Sequence, residues 1–184
     1  MTLTTAAPRL DRERAALFVV DVQEAFSRAI PDYEEIARRC EILVRGFRRL
    51  GLPVVATVQY PKGLGPMAAN IAEVLPEPPA EKLAFSGCEA PGVAERLAGR
   101  DQVVVCGIET HICVAQTAAD LLEAGTEVHV AADAVSSRSS ANRELALRRL
   151  TAAGAVETSV EMALFELLRA AGTPEFKDVQ SLIR

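Results

Sequence analysis

The chain has 184 residues, a formal net charge of −5, 49% hydrophobic and 24% charged residues, four cysteines and two histidines. A chain of this length reads as one domain that can bury a core without disulfides or metals, and its composition excludes intrinsic disorder. The acidic balance argues against nucleic acid as the main partner, and no apolar run approaches the ~20 residues of a membrane span. The opening MTLTTAAPRLDRER lacks the apolar stretch of a secretory signal. With no CxxC pair, Cys40, Cys88, Cys106 and Cys113 read as reduced thiols of a cytoplasmic protein. His111 and His129 leave little room for a His-rich metal site or a Ser-His triad.

In chain order, the first predicted strand is 15–20 (AALFVV), ending at Asp21. A helix follows over 33–50, with apolar residues Ile36, Ala37, Cys40, Leu43, Val44 and Phe47 spaced three and four apart. Strand 53–58 (PVVATV) comes next. Residues 59–79 hold five of the ten prolines and read as a long functional loop or subunit contact, with a plain insertion as the simpler alternative. Residues 81–91 (EKLAFSGCEAP) give a short apolar piece among small residues. Strand 102–108 leads to helix 114–124, strand 127–132 to helix 140–153, and strand 155–160 to helix 161–171. The tail from Thr173 has the pattern of one more short helix. Val-rich runs buried on both faces, alternating with glycine-terminated helices, predict βαβ units and a mostly parallel sheet flanked by helices.

In such sheets, ligands bind beyond the carboxyl ends of the strands. Asp21 stands there, after the first strand, as a candidate general base or a turn cap. Gln59 and Tyr60 follow the second strand, and Glu109 to Cys113 follow the third. Cys113 sits where a helix is about to start, a position suited to a nucleophile beside an oxyanion pocket, or equally to a small buried residue. Cys40 and Cys106 read as core, Asp133 and His129 as structural. Lys82 taken alone reads as an ordinary surface lysine. There is no GxSxG elbow, phosphate loop or GxGxxG fingerprint.

Three separated segments change this balance: AALFVVDVQEAF, EKLAFSGCEA and VVVCGIETHICVAQTAADLLEAGTEVHVAADAVSSR. Together they resemble the isochorismatase-like cysteine hydrolases, in particular their short isochorismatase-domain-containing subgroup, which VQYPKGLGP also resembles. The resemblance runs from Ala15 to the end, so residues 15–184 are expected to form a single hydrolase domain behind an N-terminal extension, 1–14. It implies a three-layer αβα sandwich around a six-stranded, mostly parallel sheet. It also implies a catalytic trio of Asp21, Lys82 and Cys113. A non-proline cis peptide is implied at Ile108–Glu109, turning the Glu109 and Cys113 N–H groups toward an oxyanion. In this trio Lys82 would favour the Cys113 thiolate while Asp21 takes its proton.

The nicotinamidase branch of that family carries an aspartate and paired histidines for a metal after the second strand. Here the region reads ATVQYPKGLGP, so no metal and no cofactor are expected. The expected function is hydrolysis of a small amide or related acyl compound through a Cys113 thioester, with Phe26, Gln59, Tyr60 and Phe85 as substrate-pocket candidates. The expected partners are a small-molecule substrate and, by family resemblance, further copies of the chain, with no nucleic acid and no membrane. The alternatives are a nicotinamidase-type amidase, a non-catalytic oligomeric scaffold, and a redox-sensing thiol protein in which Cys88 approaches Cys113.

Overall fold

The computed structural model describes residues 9–184; residues 1–8 of the expected N-terminal extension lie outside the described part. Six strands build one sheet: β1 (Ala15–Val20), β2 (Val54–Gln59), β3 (Ala80–Lys82), β4 (Gln102–Ile108), β5 (Glu127–Ser136) and β6 (Val156–Thr158). Their spatial order is β3-β2-β1-β4-β5-β6, and every neighbouring pair is parallel. The chain builds outward from β1 in one direction through β2 and β3. It then crosses back to lay β4, β5 and β6 on the other side. The reversal falls between β1 and β4, the switch point where open α/β sheets hold their ligands.

Eight helices among the described residues cover the sheet: α1 (Tyr33–Arg49), α2 (Pro61–Leu64), α3 (Ala69–Ala72), α4 (Val93–Leu97), α5 (Ala115–Glu123), α6 (Ser140–Ala152), α7 (Val160–Leu168) and α8 (Pro174–Ile183). Strand side chains alternate between faces, as the pleat requires. Leu17 and Val19 of β1 enter a core shared with α1, α7 and α8. Ala16, Phe18 and Val20 enter a second core shared with α4, α5 and α6. Both sides of the central strands are therefore dry, which is why their sequences are continuous apolar runs rather than alternating ones. Leu10, before β1, is stapled to the first core. Leu10 is fully buried, its N–H donates to Glu166 Oε2 at 3.0 Å, and its carbonyl accepts from Arg169 at 2.7 Å.

Several elements differ from the predicted ones for local reasons. Strand β5 continues past 132 to Ser136, where Val135 and Ser136 pair with Gly107 and Ile108 after a bulge. Strand β6 stops at Thr158 because Ser159 caps α7, its Oγ accepting from the Met162 N–H. Helix α7 ends at Leu168 rather than 171, since Arg169 turns left-handed at φ 63°. The span 59–79 is not one long loop. It folds into the single turns α2 and α3 and is bridged back to the site by Met67, which pairs with Gln23. The helix expected from 114 is preceded by a wide π turn, Thr110–Val114.

Candidate active site

Asp21, Lys82 and Cys113 come together at the carboxyl ends of β1, β3 and β4. Asp21 follows β1 directly. Its backbone has φ 51°, a left-handed posture uncommon for a residue with a side chain. Its N–H donates to the Thr57 carbonyl at 3.1 Å. Only 1% of the residue is exposed, so its charge must be met by partners. Thr57 Oγ1 donates to Oδ1 at 2.8 Å, and Lys82 Nζ donates to Oδ2 at 2.6 Å. Of the two readings the sequence left open for Asp21, general base or turn cap, these bonds describe a buried, ion-paired carboxylate rather than a cap on the following turn.

Lys82 is the last residue of β3, and its side chain is as buried as that of Asp21. Besides Asp21, its ammonium faces Gln59 Oε1 at 2.6 Å and the carbonyls of Ala84 and Phe85 at 3.2 and 3.0 Å. Four acceptors surround three protons, so the group is fully engaged. It is not the surface lysine that its residue type alone suggests.

Cys113 lies in the π turn that joins β4 to α5, a device that often marks functional positions. The turn is closed by the Ile112 and Val114 N–H groups, which both donate to the Glu109 carbonyl. Thr117 Oγ1 holds the Cys113 carbonyl at 2.7 Å. The thiol is 4.0 Å from Gln59 Oε1. Burial pushes the thiol up to about 12, and the neighbouring Asp21 carboxylate pushes the same way, with Lys82 opposing them. The resemblance led us to expect a thiolate favoured by Lys82. Lys82 is outweighed among these influences, so the net shift runs toward the thiol form. The peptide bond between Ile108 and Glu109 is cis.

Two further residues belong to this network and went unnoticed in the sequence. Thr57 is fully buried; a polar residue inside the apolar run PVVATV was the available signal. Gln23 is also fully buried. Its amide donates to the carbonyls of Gln59 and Gly65 at 3.0 and 2.8 Å and accepts from the Gln59 N–H at 2.8 Å. It ties the turn after β1 to the end of β2 and to the segment beyond α2.

The four pocket candidates separate. Gln59 joins the network through both ends of its amide, with Nε2 donating to the Leu83 carbonyl at 2.7 Å. Tyr60 is half exposed and lines a cleft of about 360 Å³ with Pro61, Lys62, Glu81, Lys82 and Leu83. Phe85 is also exposed, while its carbonyl caps Lys82. Phe26 stands apart from these bonds, half-buried against the α1-side core. Among the described residues, no group of three or more His, Cys, Asp and Glu side chains is placed to hold a metal ion. His111 pairs through Nδ1 with Ser137 Oγ at 3.0 Å. Asp133 is structural, pairing with Arg39 at 2.5 Å and receiving the Val160 N–H at the start of α7.

A model of the isochorismatase domain matches residues 15–162. The chain belongs to the isochorismatase family. Within that family it is 41% identical over 193 residues to the secreted isochorismatase effector Isc1 of Phytophthora sojae, covering 99% of this chain and 91% of the relative. Among solved structures, the MAR1 ribonuclease of Caenorhabditis elegans superposes with a TM-score of 0.92 at 41% identity, over 96% of this chain and 92% of that one. YcaC from Pseudomonas aeruginosa, solved with hexane-2,5-diol and covalent acrylamide, superposes with a TM-score of 0.88 at 25% identity, over 97% and 93% of the two chains. This isochorismatase-family member is thus a hydrolase-family protein with a six-stranded parallel α/β fold. Among its described residues no helix is long and apolar enough to cross a membrane.

Proposed function

We propose that the protein is a metal-independent cysteine hydrolase of small amides or related acyl compounds. The observation that carries this reading is the convergence of Cys113, Asp21 and Lys82 from three distant segments into one buried network at the switch point of the sheet. The covalent acrylamide in YcaC supports a nucleophile in this fold that small amides can reach.

The raised thiol shapes the mechanism. A thiol that holds its proton at rest needs a base at the moment of attack. Asp21 accepts the Cys113 proton as sulfur bonds to the substrate carbonyl carbon and the C=O π pair moves onto oxygen. The N–H groups of Glu109 and Cys113 receive that oxyanion; one such donor is worth roughly 3–4 kcal/mol in comparable sites. Protonated Asp21 then gives its proton to the leaving nitrogen as the C–N bond breaks, leaving a thioester. Water attacks the thioester, passing a proton to Asp21, and the acid departs as the thiol is restored. Lys82 offsets the carboxylate charge throughout and fixes its direction. Thr57 and Gln59 hold the two members from either side. The stretch ATVQYPKGLGP at and beyond the end of β2, where metal-binding relatives are expected to carry an aspartate and paired histidines, holds neither, which supports chemistry without a metal.

The test is ammonia or amine release from a panel of small amides, read alongside Cys113→Ala. Turnover that disappears in the variant, with an unchanged circular dichroism spectrum, is the expected result. Full activity in Cys113→Ala contradicts the proposal. The name of the C. elegans structure favours one second reading, RNA cleavage. The net charge of −5 weighs against a polyanionic substrate, and adding a structured RNA to the same panel separates the two. We further place the protein in the cytoplasm and infer a homo-oligomer.

A further inference from the structure

The residue whose N–H is assigned to the oxyanion hole also carries a buried negative charge. Glu109 is 4% exposed. Its carboxylate accepts from the Arg138 main-chain N–H at 2.8 Å, and Arg138 Nε lies 3.0 Å from both oxygens. Arg138 sits two residues beyond the end of β5, and β5 pairs with β4 up to Ser136 opposite Ile108. The ion pair therefore ties the segments leaving two adjacent strands together at Glu109, whose carbonyl closes the turn that contains Cys113. A carboxylate left unpaired in that place would oppose the build-up of negative charge on the substrate oxygen and would be free to pull its own peptide out of line.

We infer that Arg138 is a positioning residue for the oxyanion hole, acting through Glu109 by neutralising and anchoring its carboxylate. This inference rests on the hydrolase reading above and extends it to a residue outside the Asp21–Lys82–Cys113 network. The Arg138 side chain is 57% exposed, so its removal empties no part of the core. The arrangement predicts a distinctive pattern among three variants, because the harm in losing Arg138 comes from the charge it leaves behind.

The experiment measures kcat and KM on an amide that the wild-type protein turns over, for Arg138→Ala, Arg138→Lys and the double variant Glu109→Gln/Arg138→Ala. Arg138→Ala should lower kcat about 10- to 100-fold with KM little changed, on the scale of a damaged oxyanion donor. Arg138→Lys should recover part of the loss by restoring the charge. The double variant should recover most of it, because glutamine leaves no charge to neutralise. Unchanged kcat in Arg138→Ala overturns the inference, as does a rise in KM alone, which would make Arg138 a substrate contact. A double variant no faster than Arg138→Ala overturns it too. If Arg138→Ala fails to fold by circular dichroism, the double variant alone decides, by retaining or losing kcat. Absence of turnover and of any thioester in the wild-type protein removes the hydrolase reading itself, and this inference with it.

Discussion

At the level of single residues, the proposed chemistry rests on the pair of Asp21 and Cys113. Burial, and after it the Asp21 carboxylate, raise the Cys113 thiol, and Asp21 is also the group proposed to remove its proton during attack. These two roles separate in one variant. Asp21→Asn removes the carboxylate charge that holds the thiol up and leaves Lys82 unopposed beside it. Alkylation of Cys113 by iodoacetamide at pH 8 should then accelerate, by about tenfold for each unit the thiol falls. Turnover should drop about 10²- to 10⁴-fold because the base is gone. Slower or unchanged alkylation would contradict the electrostatic assignment. In the wild-type protein the thiol, raised to about 12, stays protonated above its ordinary value near 9. Its alkylation rate should therefore keep climbing with pH beyond 9 instead of levelling there. The placement of Asp21 and Cys113 at the carboxyl end of the sheet was partly visible in sequence, since each lies in the segment that follows a buried strand. Lys82 was visible only by resemblance. Its burial depends on carbonyls from Ala84 and Phe85 and an amide from Gln59, and such a nest cannot be read from residue types.

At the level of elements, the long strands were legible because they are buried on both faces and rich in β-branched residues. Strand β3 was not, having three residues and following the Pro-rich span 59–79. Its contribution is Lys82, so the site contains one member delivered by the least legible strand. The π turn was also hidden: the residues 110–114 carry no signal that separates a wide turn from the first turn of α5. The close contact of β1 and β4 has a sharper mark. Gly107, at φ 120°, lies opposite Val20, and a side chain there would put its Cβ 2.0 Å from the Val20 carbonyl oxygen. That contact sits one residue before Asp21 and two before Glu109. Gly107→Ala must push the two central strands apart at the site. It should cost more than about 3 kcal/mol in denaturant unfolding and abolish activity, in line with other substitutions at special backbone positions. A melting curve matching wild type would show that the strands are not in such close contact.

For the molecule as a whole, the two-sided sheet explains why so much of the chain is apolar without any membrane-spanning helix among the described residues. Packing extends to the turn before β1, where Leu10 is sealed against α7 through Glu166 and Arg169. Leu10→Ala should lower unfolding free energy by about 2–5 kcal/mol, the usual range for a buried leucine, with the site chemistry intact. A loss below about 0.5 kcal/mol would mean that this turn is not part of the cooperative unit. Exposed Tyr60, Leu83 and Phe85 flank the site, and light scattering on the eluting protein tests the inferred homo-oligomer, expected at a multiple of 19.7 kDa. A single 19.7 kDa species at working concentration would rule it out. The central claim, a covalent acyl-cysteine on Cys113, is most directly tested by acid-quenching the protein during turnover of an amide and mapping peptides by mass spectrometry. The expected result is an acyl mass on the Cys113 peptide that vanishes in Cys113→Ala and accumulates when release by water is slowed. Turnover of the same amide with no adduct on that peptide at any quench time, or an adduct on Cys88 instead, would contradict it.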